Sequence, residues 1–220
     1  MTITTNDVVS QGVDMVVPEF TISAGVLRDM LAGALVAAGK DKTMPTICAV
    51  RIEWSTVPLP TVTVTSTDRY RLAVGQWSLS DSDDASHVDG DGAVLMPADM
   101  ATALVKSLPK SSGRIGWERA TLTVSDGVIT VTWPGGSLTG VVVDGDFPKW
   151  RSLIPSSDDS EGTVNISFDP KYLSDVSKIP HGKGDPVKWT FRGATRPAVA
   201  RYGPHHGVEW LYLLMPVRLP

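Results

Sequence analysis

Three stretches of this chain share one pattern: an apolar strand end, a helix start, then apolar residues at helical spacing. They open at Phe20-Thr21-Ile22-Ser23-Ala24, Val94-Leu95-Met96-Pro97 and Ile166-Ser167-Phe168-Asp169-Pro170. Ile22, Leu95 and Phe168 are spaced 73 residues apart in both steps, which aligns Leu27 with Met100 and Leu173, and Met30 with Ala103 and Val176. Ser23 and Asp169 are good N-caps, and Pro97 and Pro170 sit where a missing amide hydrogen costs nothing. In the first helix Leu27, Met30, Leu31, Ala34 and Leu35 form the stripe that packs on a sheet.

Alternating strands follow each helix. Behind the first they are predicted at 46–54, 61–66 and 71–79, and behind the second at 112–117, 120–124, 127–133 and 138–143. Ser125-Asp126-Gly127, between two alternating runs, marks a hairpin. The third helix is followed by strands at 187–191, 198–202 and 208–215. Each module is thus a helix and an antiparallel meander, and each sheet needs a partner for its apolar face. The first 17 residues read as a flexible arm or an added edge strand, and 156–162 as a polar linker. Asp81-Ser82-Asp83-Asp84 and Asp89-Gly90-Asp91-Gly92 read as a solvated acidic connector, because a calcium loop would need regular oxygen ligands and a closing Glu.

Composition narrows the class. At 220 residues and 42% hydrophobic content the chain can bury a sizeable core. No apolar run approaches the roughly 20 residues that span a bilayer, and the N-terminus lacks a basic start with a hydrophobic run, so a cytoplasmic protein is expected. The single cysteine, Cys48, reads as a small buried residue. A net charge of −4 and a pI near 5.5 argue against a surface that grips nucleic acid everywhere, while leaving room for local basic patches. No catalytic or metal-binding constellation is present: His87, His181, His205 and His206 lie in predicted loops without partners at ligand spacing. Neither a phosphate-binding glycine loop with its Lys-Ser or Lys-Thr nor Gly-x-Ser-x-Gly occurs, so no cofactor and no enzymatic activity are expected.

Four segments carry a resemblance. Leu213-Leu214-Met215-Pro216-Val217-Arg218-Leu219-Pro220 resembles the Met-Pro-x-Arg-Leu tail of bacterial sliding clamps, the DNA polymerase III beta subunit family. The run from Thr65 to Val74 resembles that family's Thr-Asp-x-x-Arg-Leu-Ala turn, and the run from Val143 to Pro155 its connector leaving the middle domain. The stretch from Asp41 to Thr46, followed by Val50-Arg51-Ile52-Glu53, is the fourth match, in the expected order. The resemblance implies an α+β chain of DNA-clamp modules, with one complete clamp domain and one half domain. The complete domain would be residues 18–155, in modules of about 18–80 and 93–155, and the half domain 163–220 with its tail. A full family subunit carries three such domains, so this is a shortened form, which suggests a viral or mobile-element version. Thr195-Arg196-Pro197-Ala198-Val199 and the tail resemble actinobacterial clamps.

By the same resemblance, Ile47, Thr67, Arg71, Leu72, Ile154, Pro155, Tyr172, Thr195, Pro197 and Leu213, Leu214, Met215, Pro216, Val217 and Arg218 would converge on a peptide-binding pocket. An apolar floor of Leu72, Ile154, Pro155, Leu214, Met215 and Val217 suits a short peptide with aliphatic and aromatic anchors. Arg69-Tyr70 departs from many clamps, which leaves the peptide preference open. The inner wall would carry Arg28, Lys40, Lys42, Lys106, Lys110, Lys171, Lys178 and Lys183 toward the phosphates of duplex DNA, although lysines near helix C-termini also offset the helix dipole. The tryptophans read as packing residues, with Trp150 pinning the connector.

The expected function is that of a processivity factor that encircles duplex DNA as a homo-oligomer, dimer or tetramer. Its expected partners are the replicative polymerase, other proteins with clamp-binding motifs and a host clamp loader. An orphan half domain would expose an apolar face, and pairing with a second copy is its simplest remedy. The rival is an adaptor or decoy that keeps the pocket without the ring.

Overall fold

The computed structural model describes residues 19–79, 86–110, 118–154 and 166–217. Strand β1 (Glu19–Ser23) leads into helix α1 (Ala24–Leu35), and β2 (Ala49–Ser55), β3 (Thr61–Thr67) and β4 (Arg71–Ser78) form the first meander. Then come β5 (His87–Asp89), β6 (Gly92–Pro97), α2 (Ala98–Ser107), β7 (Arg119–Ser125), β8 (Val128–Trp133) and β9 (Gly136–Val141). The third module holds α3 (Pro170–Asp175), β10 (Lys188–Thr190), β11 (Ala198–His205) and β12 (Val208–Leu214). The helix-plus-antiparallel-meander plan read from the sequence is the one observed.

The strands form two antiparallel sheets, β5-β1-β7-β8-β9 and β10-β11-β12-β4-β3-β2-β6. The first two modules exchange their leading strands. β1 pairs with β7 of the second module, with Phe20 opposite Leu122, and β6 pairs with β2 of the first, with Met96 opposite Val50. Neither module can therefore complete its sheet alone. Arg28 Nε on α1 also donates to the carbonyl of Val105 on α2, at 3.1 Å, tying the two helices side by side. At the hairpin marked by Ser125-Asp126-Gly127, Asp126 and Gly127 take φ of 51° and 73°, the left-handed pair that matches strand twist in a two-residue turn.

The third module joins the first edge to edge. β12 runs antiparallel to β4 over seven pairs, from Val208 opposite Trp77 to Leu214 opposite Arg71. Tyr212 and Leu214 enter the main core with Leu27, Met30, Leu31, Val62 and Val64. Trp210 fixes the fit between the two modules. Its indole occupies the space that a Cβ on Gly33 of α1 or Gly75 of β4 would take, 2.2 Å and 2.6 Å from the nearest ring atoms.

Four expectations change. Counted from the caps at Ser23, Pro97 and Asp169, the helices align Leu27 with Ala101 and Leu173, and Met30 with Leu104 and Val176. The even 73-residue spacing was one residue out in the middle module. α3 spans only six residues before a 3-10 turn at Val176–Lys178, far shorter than α1. Ser23 holds the N-cap position of α1 without a side-chain cap bond, whereas Asp169 accepts from Lys171 N at 2.8 Å. The acidic connector is more than a solvated loop: His87–Asp89 pairs with β1, and Asp91 accepts from the Thr56 amide at 2.8 Å. The strand expected at 112–117 lies outside the described residues, as do the arm before residue 18 and the linker 156–162.

Gly33→Ala separates two effects of opposite sign. Helix propensity alone favours alanine by about 1 kcal/mol, but the clash with Trp210 forces overpacking that costs about 1–3 kcal/mol. Net destabilisation is expected as a lower urea midpoint, and it should shrink when Trp210 is replaced by Leu in the same chain.

Candidate functional site: an outer groove at the module junction

The β4–β12 pairing decides which predicted residues can meet. Leu72 and Leu213 are direct cross-strand partners, as are Val74 and Leu211, and all four point to the face of the sheet away from the helices. There they pack with Ala49, Leu95 and Val199, under Phe147 and Trp150 of the connector and beside half-buried Ile154. Trp150 is buried, as expected of a residue that pins the connector. Arg151 reinforces it by stacking over the Trp150 ring at 4.3 Å and reaching Glu53 on β2 at 3.2 Å. Burial pushes the Glu53 carboxyl up, but hydrogen bonds from Arg51 and Arg151 outweigh it and hold the group below its ordinary 4.5.

Beyond this cluster a groove of about 520 Å³ opens on the same face. Val74, Leu211, Trp150 and Ile154 supply apolar walls, and Gln76, Lys188, Arg201 and Glu209 a polar rim. Sequence reasoning missed Lys188 and Arg201 as groove residues. The signal was available in the alternation of β10 and β11, where Lys188 and Arg201 are paired and fall out of phase with core residues Ala200 and Tyr202.

The other predicted pocket residues are dispersed. Leu214 cannot line the groove, because it points to the helix face and is fully buried. Ile47 lies in a turn before β2 rather than in a strand, with its side chain against Gly39. Thr67 shares the Leu72 face and shapes the turn, donating to Arg71 O at 2.8 Å while accepting from Arg69 N at 3.2 Å. Arg71 and Tyr172 belong to the helix side. Arg71 pairs with Asp68 at 3.0 Å and with buried Asp175 on α3, and its guanidinium lies 4.9 Å from the Tyr172 ring centre. Tyr212 Oη donates to Tyr172 O at 3.0 Å, and burial pushes its pKa up to about 12. These contacts bind α3 to the first module.

At the strand end Met215 and Val217 are each 43% exposed. Met215 N donates to Tyr70 O at 3.3 Å, and Val217 N to Ser167 O at 2.8 Å, so the tail runs beside exposed Tyr70, which stacks on Tyr172. Pro216 is half-buried, as is Pro197 just before β11, and Thr195 is exposed. Pro155 and Arg218 lie outside the described residues.

Of the basic residues, Lys40, Lys42, Lys106, Lys110, Lys171 and Lys183 are exposed. Lys178 pairs with Asp175 yet keeps 63% of its side chain in solvent. Arg28 is half-buried, paired with Asp29 at 2.8 Å and committed to the Val105 carbonyl. Among the described residues no group of three or more His, Cys, Asp or Glu gathers as for a metal ion, and no helix is long and apolar enough to cross a membrane.

A continuous sheet joining two units, with a groove at the junction and helices along one face, has counterparts. The family model of the DNA polymerase III beta subunit, central domain, matches residues 21–149. This chain belongs to the DNA polymerase III beta subunit family. It is 31% identical to the beta sliding clamp of Micrococcus luteus over 68% of this chain and 45% of that protein. It is 26% identical to the Streptomyces coelicolor beta sliding clamp over 78% of this chain and 43% of that protein. The crystal structure of the DNA polymerase III beta subunit from Thermotoga maritima superposes with a TM-score of 0.73 at 17% identity, covering 92% of this chain and 66% of that one. The chain spans less than half the length of the curated relatives it matches. In beta-subunit terms the fold is a complete clamp domain plus a half domain fused through β4 and β12.

Two outcomes follow from these contacts. Arg71 keeps its pair with Asp68 when Asp175 is removed, so Asp175→Ala should lower unfolding free energy by about 2 kcal/mol in a denaturant titration, less than the roughly 3–5 kcal/mol of a fully stranded buried charge. The Glu53 carboxyl, held below 4.5, stabilises the native state above that pH and loses the contribution as pH falls through its native value. A Glu53→Gln chain should accordingly show a shallower fall of Tm between pH 5 and about pH 3.

Proposed function

We propose that this chain acts as a DNA sliding clamp, a polymerase processivity factor that holds duplex DNA without reading bases and recruits polymerase through the outer groove. The reading takes residues 18–155 as the complete clamp domain, 156–162 as a linker and 163–220 as the half domain. The observation that carries it is family membership combined with an apolar groove at the module junction, bordered by Ile154 of the connector and by Leu211 and Val74 of the joined strands. Such a groove suits the aliphatic anchors of a short peptide, with Lys188, Arg201 and Glu209 placed to meet its polar groups. Met215 and Val217 extend the apolar surface past the strand end.

Lys40, Lys42, Lys106, Lys110, Lys171, Lys178 and Lys183 are the candidate phosphate contacts, and Arg28 serves the helix pair instead. A set of flexible, solvated ammonium groups holds DNA through salt-sensitive contacts and lets it slide. Enclosing a duplex calls for copies of the chain to join. Among the end strands of the two sheets, β9 and β10 offer outer edges for this.

Each half of the proposal has its own test. Retention on a nicked circular plasmid, measured by gel filtration, should be lost when the plasmid is linearised, because a topological link needs a closed duplex. Lys106→Glu with Lys110→Glu and Lys178→Glu should weaken association about tenfold or more at low salt. A chain that binds clamp-motif peptides but shows no retention would be an adaptor. For the groove, Ile154→Ala with Met215→Ala should raise the Kd for a polymerase-type clamp peptide at least about tenfold, a loss of about 1.4 kcal/mol. Unchanged affinity would remove the groove assignment.

A further inference from the structure

The complete domain contains a template for a surface that the half domain leaves open. In the first two modules each sheet is extended by the leading strand of the other, β1 on β7 and β6 on β2, with α1 and α2 side by side. The third module has the same order of parts, and β10, its first strand after the helix, occupies the place of β2 and β7. Among the described residues nothing pairs with the outer edge of β10.

Burial marks the same gap. Leu27 and Ala101 are fully buried, whereas Leu173, which holds their position counted from the helix caps, is 45% exposed. Phe191 is 53% exposed and stacks on Trp189, with ring centres 5.8 Å apart, and it lies 6.1 Å from Phe168. Phe168 and Trp189 pack against the main core, so this aromatic surface is where the core continues to the free edge without cover. A contiguous apolar patch beside an unpaired strand is a surface built to be joined.

We infer that the half domain pairs with the half domain of a second copy through a two-fold contact, in which β10 pairs with the partner's residues 166–169 along the edge away from their bridge to Val217, and Leu173, Phe191 and Phe168 meet their counterparts. The inference rests on the homo-oligomer reading above and specifies which surface closes. The occupant is a second copy because the missing piece is another module of the same design: the intact domain shows two such modules completing each other by reciprocal exchange. A two-fold axis satisfies both halves at once, since each supplies the strand that the other lacks.

Light scattering of the full chain across concentrations is the test, with wild type compared against Leu173→Asp, Phe191→Asp and both together. These side chains are partly exposed, so the variants should keep the native circular dichroism spectrum and a cooperative melt. The expected result is an even-numbered assembly for wild type and a halved mass for the double variant. Hydrogen exchange at Thr190 and Phe191 gives a reading that needs no variant: protection there should rise with protein concentration. A wild-type chain that stays monomeric at all concentrations overturns the inference and the oligomer reading together. An assembly whose mass survives the double variant overturns the inference alone, because the copies then join elsewhere. Protection of β10 in a solution that light scattering shows to be monomeric also overturns it, by showing that the chain covers its own edge.

Discussion

The β4–β12 junction is the constraint on which the rest of this molecule depends. The third module, one short helix and three strands among the described residues, shares the first module's sheet edge and core. Seven consecutive cross-strand pairs supply the backbone register, Trp210 supplies the steric fit against two glycines, and Arg71 with Asp175 closes the helix side. The three act on different surfaces of the same two strands. Together they make a slip in register costly, since moving β12 by one residue would turn Tyr212 and Leu214 out of the core and drive Trp210 away from Gly33 and Gly75.

The groove is a by-product of that junction. Because β4 and β12 are covered on both faces, each reads as a nearly unbroken apolar run, with one set of side chains committed to the helices and the alternate set to the connector. Where the connector ends, Val74 and Leu211 of the outward set, largely buried themselves, floor the groove between Trp150 and the charged rim of Lys188, Arg201 and Glu209. The structural join and the candidate binding surface are thus two faces of one pair of strands. A change that loosens the join would deform the groove without touching its walls.

Much of this was legible from residue patterns, and the misses have physical causes. Periodicity located α1 and most of the strands, and the Ser125-Asp126-Gly127 turn fell where left-handed residues were needed. Tail and turn motifs led to the Leu72 and Leu213 pair, which the sheet makes direct neighbours. Motifs name residues but not faces, however. Leu214 and Arg71 sit beside Leu213 and Leu72 in sequence, and strand alternation sends them to the opposite side, Leu214 into the core and Arg71 to Asp175. Strand exchange between modules was illegible for a related reason: β1 on β7 is a long-range pairing with no local signature. The charged groove rim was present as alternation in β10 and β11, but a three-residue edge strand gives that pattern little length in which to show.

Native-state hydrogen exchange under increasing denaturant tests the junction most directly, by comparing the amides of β12 with those of β3 and β4. If the half domain is held as part of the first module's core, β12 amides will open with the same free energy and the same denaturant dependence as those of β3 and β4. If β12 and β11 exchange through a separate, lower-energy opening while β3 and β4 remain protected, the half domain is a detachable unit, and a fold and groove that both depend on the β4–β12 junction are contradicted.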